Sequence, residues 1–145
     1  GRYAEDLMLR TPSTLDNPFL TKELLEKGYG HVVMNGRTVF KHAVTKFPQV
    51  IAEALEAAGV DKSEVKLVVP HQANLRITEA VANRLDLEMH KVVYSNIHKY
   101  GNTTSASIPI ALYEAMQEGK INRGDTIVVA SFGAGFTWGA SVMRW

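Results

Sequence analysis

Residues 66 to 76 read KLVVPHQANLR. The apolar run up to Pro70 has the length and composition of a short buried strand, and QANLRITEAVANRLDL, residues 72–87, continues at helical spacing through Ile77, Val81 and Leu85. KVVYS, residues 91–95, reads as a second strand. The pattern around His71 is therefore β, α, β, which places this histidine where a strand gives way to a helix. In α/β sheets that is the end where ligands bind.

The same reading extends outwards. From Thr38 to Ala58 the apolar residues Phe40, Ala43, Val44, Phe47, Ile51, Leu55 and Ala58 recur at helical spacing, with Pro48 expected to interrupt or kink the helix and Gly59 to end it. After the turn GNTT, the segment SASIPIALYEAMQEG predicts a helix, with Pro109 tolerable in its first turn and Gly119 as its cap. TIVVASF and FTWGASVMRW predict two closing strands. The order βαβαββ points to an α/β layered domain with a mixed β-sheet covered by helices. The first thirty residues mix turn formers with a short amphipathic stretch around Leu20 to Leu25 and read as a surface excursion.

Composition bounds what such a domain does. At 145 residues, 46% hydrophobic and 21% charged, the chain can build one core, and a single globular unit is expected. The formal charge of +1, with both signs mixed along the chain, suggests neither a nucleic-acid stripe nor an anionic membrane surface. No apolar run approaches the roughly 20 residues that span a bilayer. The absence of cysteine removes disulfides, thiolate metal sites and a cysteine nucleophile, and makes a reducing cytoplasm the simple expectation. GRYAEDL at the start carries no initiator methionine and no leader pattern, so the chain reads as a piece of something longer.

Several candidate sites have plain structural alternatives. His71 could simply hydrogen-bond at a strand end, and Asn102 in KYGNTTSAS is first of all turn chemistry. SFGAGFTWG, residues 131–139, misses the G-x-G-x-x-G spacing of a dinucleotide turn, although its small residues permit a ligand to approach the backbone near Ala134. His31, His42, His71, His90 and His98 form no metal-ligand spacing, so no metal is expected. Ser105, Ser107 and Ser131 lie outside any G-x-S-x-G elbow, which leaves a hydrolase weakly supported.

Taken together, PHQANLR, HKYGNTTSAS and SFGAGFTWG, in this order and about thirty residues apart, resemble the C-terminal half of β-ketoacyl-acyl-carrier-protein synthase III, a thiolase-like condensing enzyme. The resemblance runs from GRYAEDL through VVMNGRTVFKHAV to the end and is poorest between Leu9 and Tyr29. It implies a thiolase-like half in which His71 and Asn102 are two members of a cysteine, histidine and asparagine set. The cysteine would lie in an N-terminal half not included in this sequence, so the chain is expected to be a fragment, split subunit or isolated domain, inactive alone.

By the same resemblance the complete enzyme is a homodimer that joins an acyl-CoA primer to malonyl-acyl-carrier protein with loss of carbon dioxide. It would need no cofactor, coenzyme A and phosphopantetheine thioesters being substrates. His71 and Asn102 would donate to the enolate oxygen formed by decarboxylation, two donors worth roughly 3 kcal/mol each in comparable oxyanion sites. The backbone N–H of Ala134 would serve a second oxyanion. Gly36 and Phe40, with Ala73 and Asn74, would line the pantetheine channel, plain helix core being the alternative for Phe40. Gln72, Ala73, Asn74, Leu75 and Arg76 would face the acyl carrier protein, with Arg76 as the cation opposite an acidic partner. A related condensing enzyme of polyketide or secondary metabolism would keep His71 and Asn102, whereas a noncatalytic interaction module would need neither.

Overall fold

The computed structural model describes all 145 residues, Gly1–Trp145. Instead of the single unit expected, they form two compact units, one of residues 1–41 and 133–137 and the other of residues 42–132 and 138–145.

In the first unit, β1 (Leu7–Leu9) pairs antiparallel with β2 (Val32–Met34), Leu7 opposite Met34 and Leu9 opposite Val32. Asn35 closes the pair, its backbone N–H and its Nδ2 donating to the carbonyl and carboxylate of Asp6 at 2.8 and 3.0 Å. The amphipathic stretch forms only the short helix α1 (Lys22–Glu26), capped by Thr21 Oγ1, which accepts from the Leu24 N–H. The expected excursion thus supplies one strand of a small sheet that the sequence did not reveal, β2 following directly after it. Strands of three residues are too short to show an alternation.

Helix α2 (Gly36–Ala58) buries Ala43, Val44, Phe47, Ile51 and Leu55, as its spacing predicts. Phe40 is 38% exposed and Val39 is buried in its stead, which also removes the plain-core alternative for Phe40. Pro48 does not interrupt the helix. Proline lacks the N–H that would bond the carbonyl four residues earlier. Arg84 supplies the missing donor, its guanidinium reaching the Val44 carbonyl at 2.8 Å. Gly59 ends α2 in the left-handed region at φ 64°, where a side chain would be strained.

The sheet of the second unit has the order β3 (Val65–Pro70), β4 (Thr126–Gly133), β5 (Thr137–Arg144). β3 and β4 are parallel, Val68 opposite Val128 and Pro70 opposite Ala130. The three-residue link to β5 lets it only run back, so the sheet is mixed as expected. On one face Leu67, Val69 and Ile127 pack with Ala111 and Ala115 of α5 (Ser107–Gln117). Phe132 lies an odd number of positions from Ile127 and so points to the other face. There its ring meets Phe47 of α2 at 6.3 Å. Helices therefore cover both faces, and this explains why β3 reads as one continuous apolar run.

KVVYS is not a strand of this sheet. It makes a single parallel bridge to β3, with the Val68 N–H donating to Val92 at 2.7 Å and the Tyr94 N–H donating to Val68 at 2.9 Å. The ladder stops there because the side-chain amide of Gln72 takes its next groups: Nε2 donates to the Tyr94 carbonyl and Oε1 accepts from the Asn96 N–H. α3 (Leu75–Leu85) begins three residues later than the spacing predicts, because Asn74 caps it by accepting from the Arg76 N–H at 2.9 Å. No helix is long and apolar enough to cross a membrane.

Candidate active site

His71 follows directly on β3. Its N–H extends the parallel register to the Ala130 carbonyl at 2.8 Å, and the turn into α3 begins with the Ala73 N–H donating back to His71. The side chain is half-buried, and burial holds its imidazole below the usual histidine range, so the ring is neutral near pH 7. Nδ1 lies 2.6 Å from Oγ of Ser107, the first residue of α5. The Gln72 N–H reaches the same hydroxyl at 3.2 Å.

Asn102 lies five residues before Ser107, in the exposed loop between α4 (Ile97–Tyr100) and α5. Its Oδ1 accepts from the Thr104 N–H at 2.9 Å, which orients the carboxamide and leaves Nδ2 without a partner in the chain. Positive φ at Gly101 and Thr104 gives the loop its sharp turns. No hydrogen bond joins Asn102 to His71, whose partner is Ser107 at the start of α5.

Glu114 holds the other side of this loop. Its carboxylate accepts from Tyr100 Oη at 2.7 Å, Asn96 Nδ2 at 2.8 Å and Lys99 Nζ at 3.2 Å. These donors, the Tyr100 hydroxyl foremost, draw its carboxyl down from 4.5 to about 2. A carboxyl whose folded value lies below its unfolded one stabilises the fold above the unfolded value and loses that contribution as pH falls through the folded one. Glu114→Gln is therefore expected to lower the chain's stability near neutral pH by about 1–3 kcal/mol. Denaturant midpoints of the two proteins should converge as pH falls from about 5 to about 2. A gap that does not change with pH would contradict this role.

Gln72 requires a correction. It was expected to face a carrier protein, yet it is 1% exposed, with Nε2 donating to the Pro70 carbonyl at 2.6 Å and Oε1 accepting from Ser95 Oγ at 2.9 Å. Its polarity serves the framework under His71. Beyond it, Ala73 is half-buried, whereas Asn74, Leu75 and Arg76 are exposed and Arg76 makes no ion pair.

Gly36 and Phe40 stand one turn apart at the start of α2 in the first unit, both exposed, with open space where a Gly36 side chain would sit. Ala134 is in the same unit, exposed, its carbonyl accepting from Thr137 Oγ1 at 3.0 Å. In the second unit an apolar hollow of 310 Å³ is lined by residues 129–131 and 139–141, among them Ala130, the backbone partner of His71, and by Ile108, next in sequence to Ser107. A larger, polar hollow of 480 Å³ touches Val65 and Thr126 at the opposite end of the strands.

Residues 55–145 match the family described as 3-oxoacyl-[acyl-carrier-protein (ACP)] synthase III C terminal. The chain belongs to this family. The matched residues include His71, Asn102 and Ala134; Gly36 and Phe40 precede them. Among relatives, the β-ketoacyl-[acyl-carrier-protein] synthase III of Roseiflexus castenholzii is 50% identical over 125 residues, 86% of this chain and 38% of that protein. The synthase III structure from Thermus thermophilus aligns with all of this chain and 43% of its own, at TM-score 0.86 and 41% identity. A priming β-ketosynthase of the R1128 polyketide pathway aligns with 99% of this chain and 42% of its own, at TM-score 0.83 and 32% identity. The chain thus spans about two fifths of these proteins, and its layered α/β fold is that of a synthase III thiolase-like half.

Ser107 and Glu114 are the residues that sequence reasoning undervalued. The sequence presents Ser107 only as a possible nucleophile; its place at the first position of α5 is the available signal. Nothing local marks Glu114, whose partners come from residues 94–100.

Proposed function

We propose that this chain is the C-terminal part of a decarboxylating, Claisen-condensing acyltransferase that joins an acyl-CoA primer to malonyl-acyl-carrier protein to start fatty acid synthesis. The observation that carries the reading is the neutral, half-buried imidazole of His71, held through Nδ1 at the carboxyl end of β3 with Nε2 unengaged. When the malonyl carboxylate leaves as carbon dioxide, the electron pair of the broken C–C bond moves to the thioester oxygen. His71 Nε2–H and Asn102 Nδ2–H supply donors for that charge, and neither is spent on another group of the chain. The enolate carbon then bonds to the acyl carbonyl carbon, and the resulting oxyanion collapses as the C–S bond of the acyl thioester breaks and the thiolate departs. The chain contains no cysteine, so that thiolate comes from a cysteine-bearing N-terminal half. Coenzyme A and phosphopantetheine thioesters are the substrates, with no cofactor required, and Ala73 and Asn74 line their channel.

Identity favours fatty acid over polyketide synthesis, at 41% to the Thermus thermophilus structure against 32% to the R1128 enzyme, each aligned over nearly all of this chain. A buried polar framework around a histidine favours catalysis over an interaction module. The reading is tested by following carbon dioxide release from malonyl carrier protein in the complete enzyme, which must depend on His71.

Docking of the carrier is assigned to Asn74, Leu75 and Arg76, on the exposed start of α3, with Ala73 at their edge. Arg76→Glu is expected to weaken carrier binding roughly tenfold at low salt while leaving small thioesters unaffected, because an exposed cation steers an acidic partner. Raising salt should weaken the unmutated enzyme towards the variant, since exposed charges are screened within about 10 Å at 0.1 M. Equal affinities for both proteins at low salt would remove Arg76 from the docking surface.

A further inference from the structure

The role given to His71 needs a proton on Nε2, and a neutral imidazole carries its single proton on either nitrogen. The surroundings of Ser107 decide between the two. This residue is 2% exposed, and its hydroxyl has two neighbours, His71 Nδ1 at 2.6 Å and the Gln72 nitrogen at 3.2 Å. The Gln72 N–H can only donate, so it occupies one lone pair of Oγ. One lone pair and one proton remain to face Nδ1.

Were Nδ1 protonated, it would fill the second lone pair and the hydroxyl proton would need another acceptor. The chain offers none to Oγ beyond these two neighbours. Burying a donor without a partner costs about 1–3 kcal/mol. With the hydroxyl donating to a bare Nδ1 every group is satisfied, and no buried side-chain polar atom lacks a partner. The imidazolium, protonated at both nitrogens, meets the same obstacle. It also faces the positive end of α5, where Ser107 sits.

We propose that Ser107 is a positioning residue that holds His71 in the Nε2–H tautomer, its hydroxyl donating to Nδ1 while the Gln72 N–H fixes the hydroxyl's own orientation. This rests on the function proposed above and adds the device that aims the donor. The Gln72 side chain supports it, since its bonds to Pro70, Tyr94, Ser95 and Asn96 hold the backbone N–H that orients Oγ.

The test uses the complete enzyme, labelled with ¹⁵N in histidine, with the His71 ring signals identified by their loss in His71→Ala. The wild-type spectrum is expected to show a bare Nδ1 and a protonated Nε2; a protonated Nδ1 would overturn the proposal without any Ser107 variant. Ser107→Ala is expected to redistribute the tautomers and slow malonyl decarboxylation roughly ten- to a hundredfold, the range seen when partners that orient a functional histidine are lost. Acyl transfer from acyl-CoA should be unchanged, and Ser107→Thr, which keeps the hydroxyl, should recover most of the rate. Equal slowing by Ala and Thr would mark a packing role and overturn the proposal. Ser107→Ala at wild-type rate beside a slowed His71→Ala would overturn the Ser107 role alone, whereas a His71→Ala enzyme at wild-type rate would overturn the function on which it rests.

Discussion

Incubated with acetyl-CoA and malonyl carrier protein, the isolated chain is expected to form no ketoacyl product. Condensation needs an acyl group held on a nucleophile beside the enolate, and this sequence contains no cysteine to hold it. The serines do not replace it. Ser107 is buried and engaged by His71 and Gln72, and Ser131 has no histidine bonded to it. Adding the cysteine-bearing half should restore turnover, because His71 and Asn102 would then meet the third member of their set. Product formed by the pure chain, followed by chromatography of the thioesters, would refute the division of labour proposed here.

In the complete enzyme, His71→Ala or Asn102→Ala is expected to slow malonyl decarboxylation by about two to three orders of magnitude, the effect of removing one preorganised oxyanion donor. The two side chains are held by independent means. Ser107 fixes one ring nitrogen of His71, while Asn102 is oriented by the Thr104 N–H and by a loop tethered through Tyr100 and Asn96 to Glu114. Each variant should therefore lose its own donor and leave the other in place. Acyl transfer to cysteine develops charge elsewhere and should change much less. Stopped-flow measurement of acyl transfer beside carbon dioxide release separates the two steps; equal losses in both would move the residues from the enolate to a general structural role.

Much of this architecture could be read in advance, for reasons that differ between elements. α2, α3 and α5 are long enough for their apolar spacing to repeat, and β3 is continuous because helices cover both faces of its sheet. His71 and Asn102 are singled out because each sits in a motif, PHQANLR and GNTTSAS, whose order and separation carry more information than either residue alone. The failures arise where a side chain performs a backbone's task. Gln72 looks like an exposed loop residue and instead completes the ladder that KVVYS begins, so one buried amide accounts for both a lost strand and a misplaced docking residue. Arg84 does the same for the carbonyl that Pro48 leaves without a donor, which is why a helix expected to break remains whole. Phe40 and Val39 exchange places because one residue is about 100° of helix, enough to turn a core position outwards.

The most direct test removes acyl transfer altogether. In a complete enzyme whose nucleophilic cysteine is replaced, carbon dioxide release from malonyl carrier protein reports the enolate step alone. Adding His71→Ala or Asn102→Ala to that background is expected to lower the release by about two to three orders of magnitude, with carrier affinity unchanged. Release at the parent rate in both variants would contradict the claim that these two side chains stabilise the enolate.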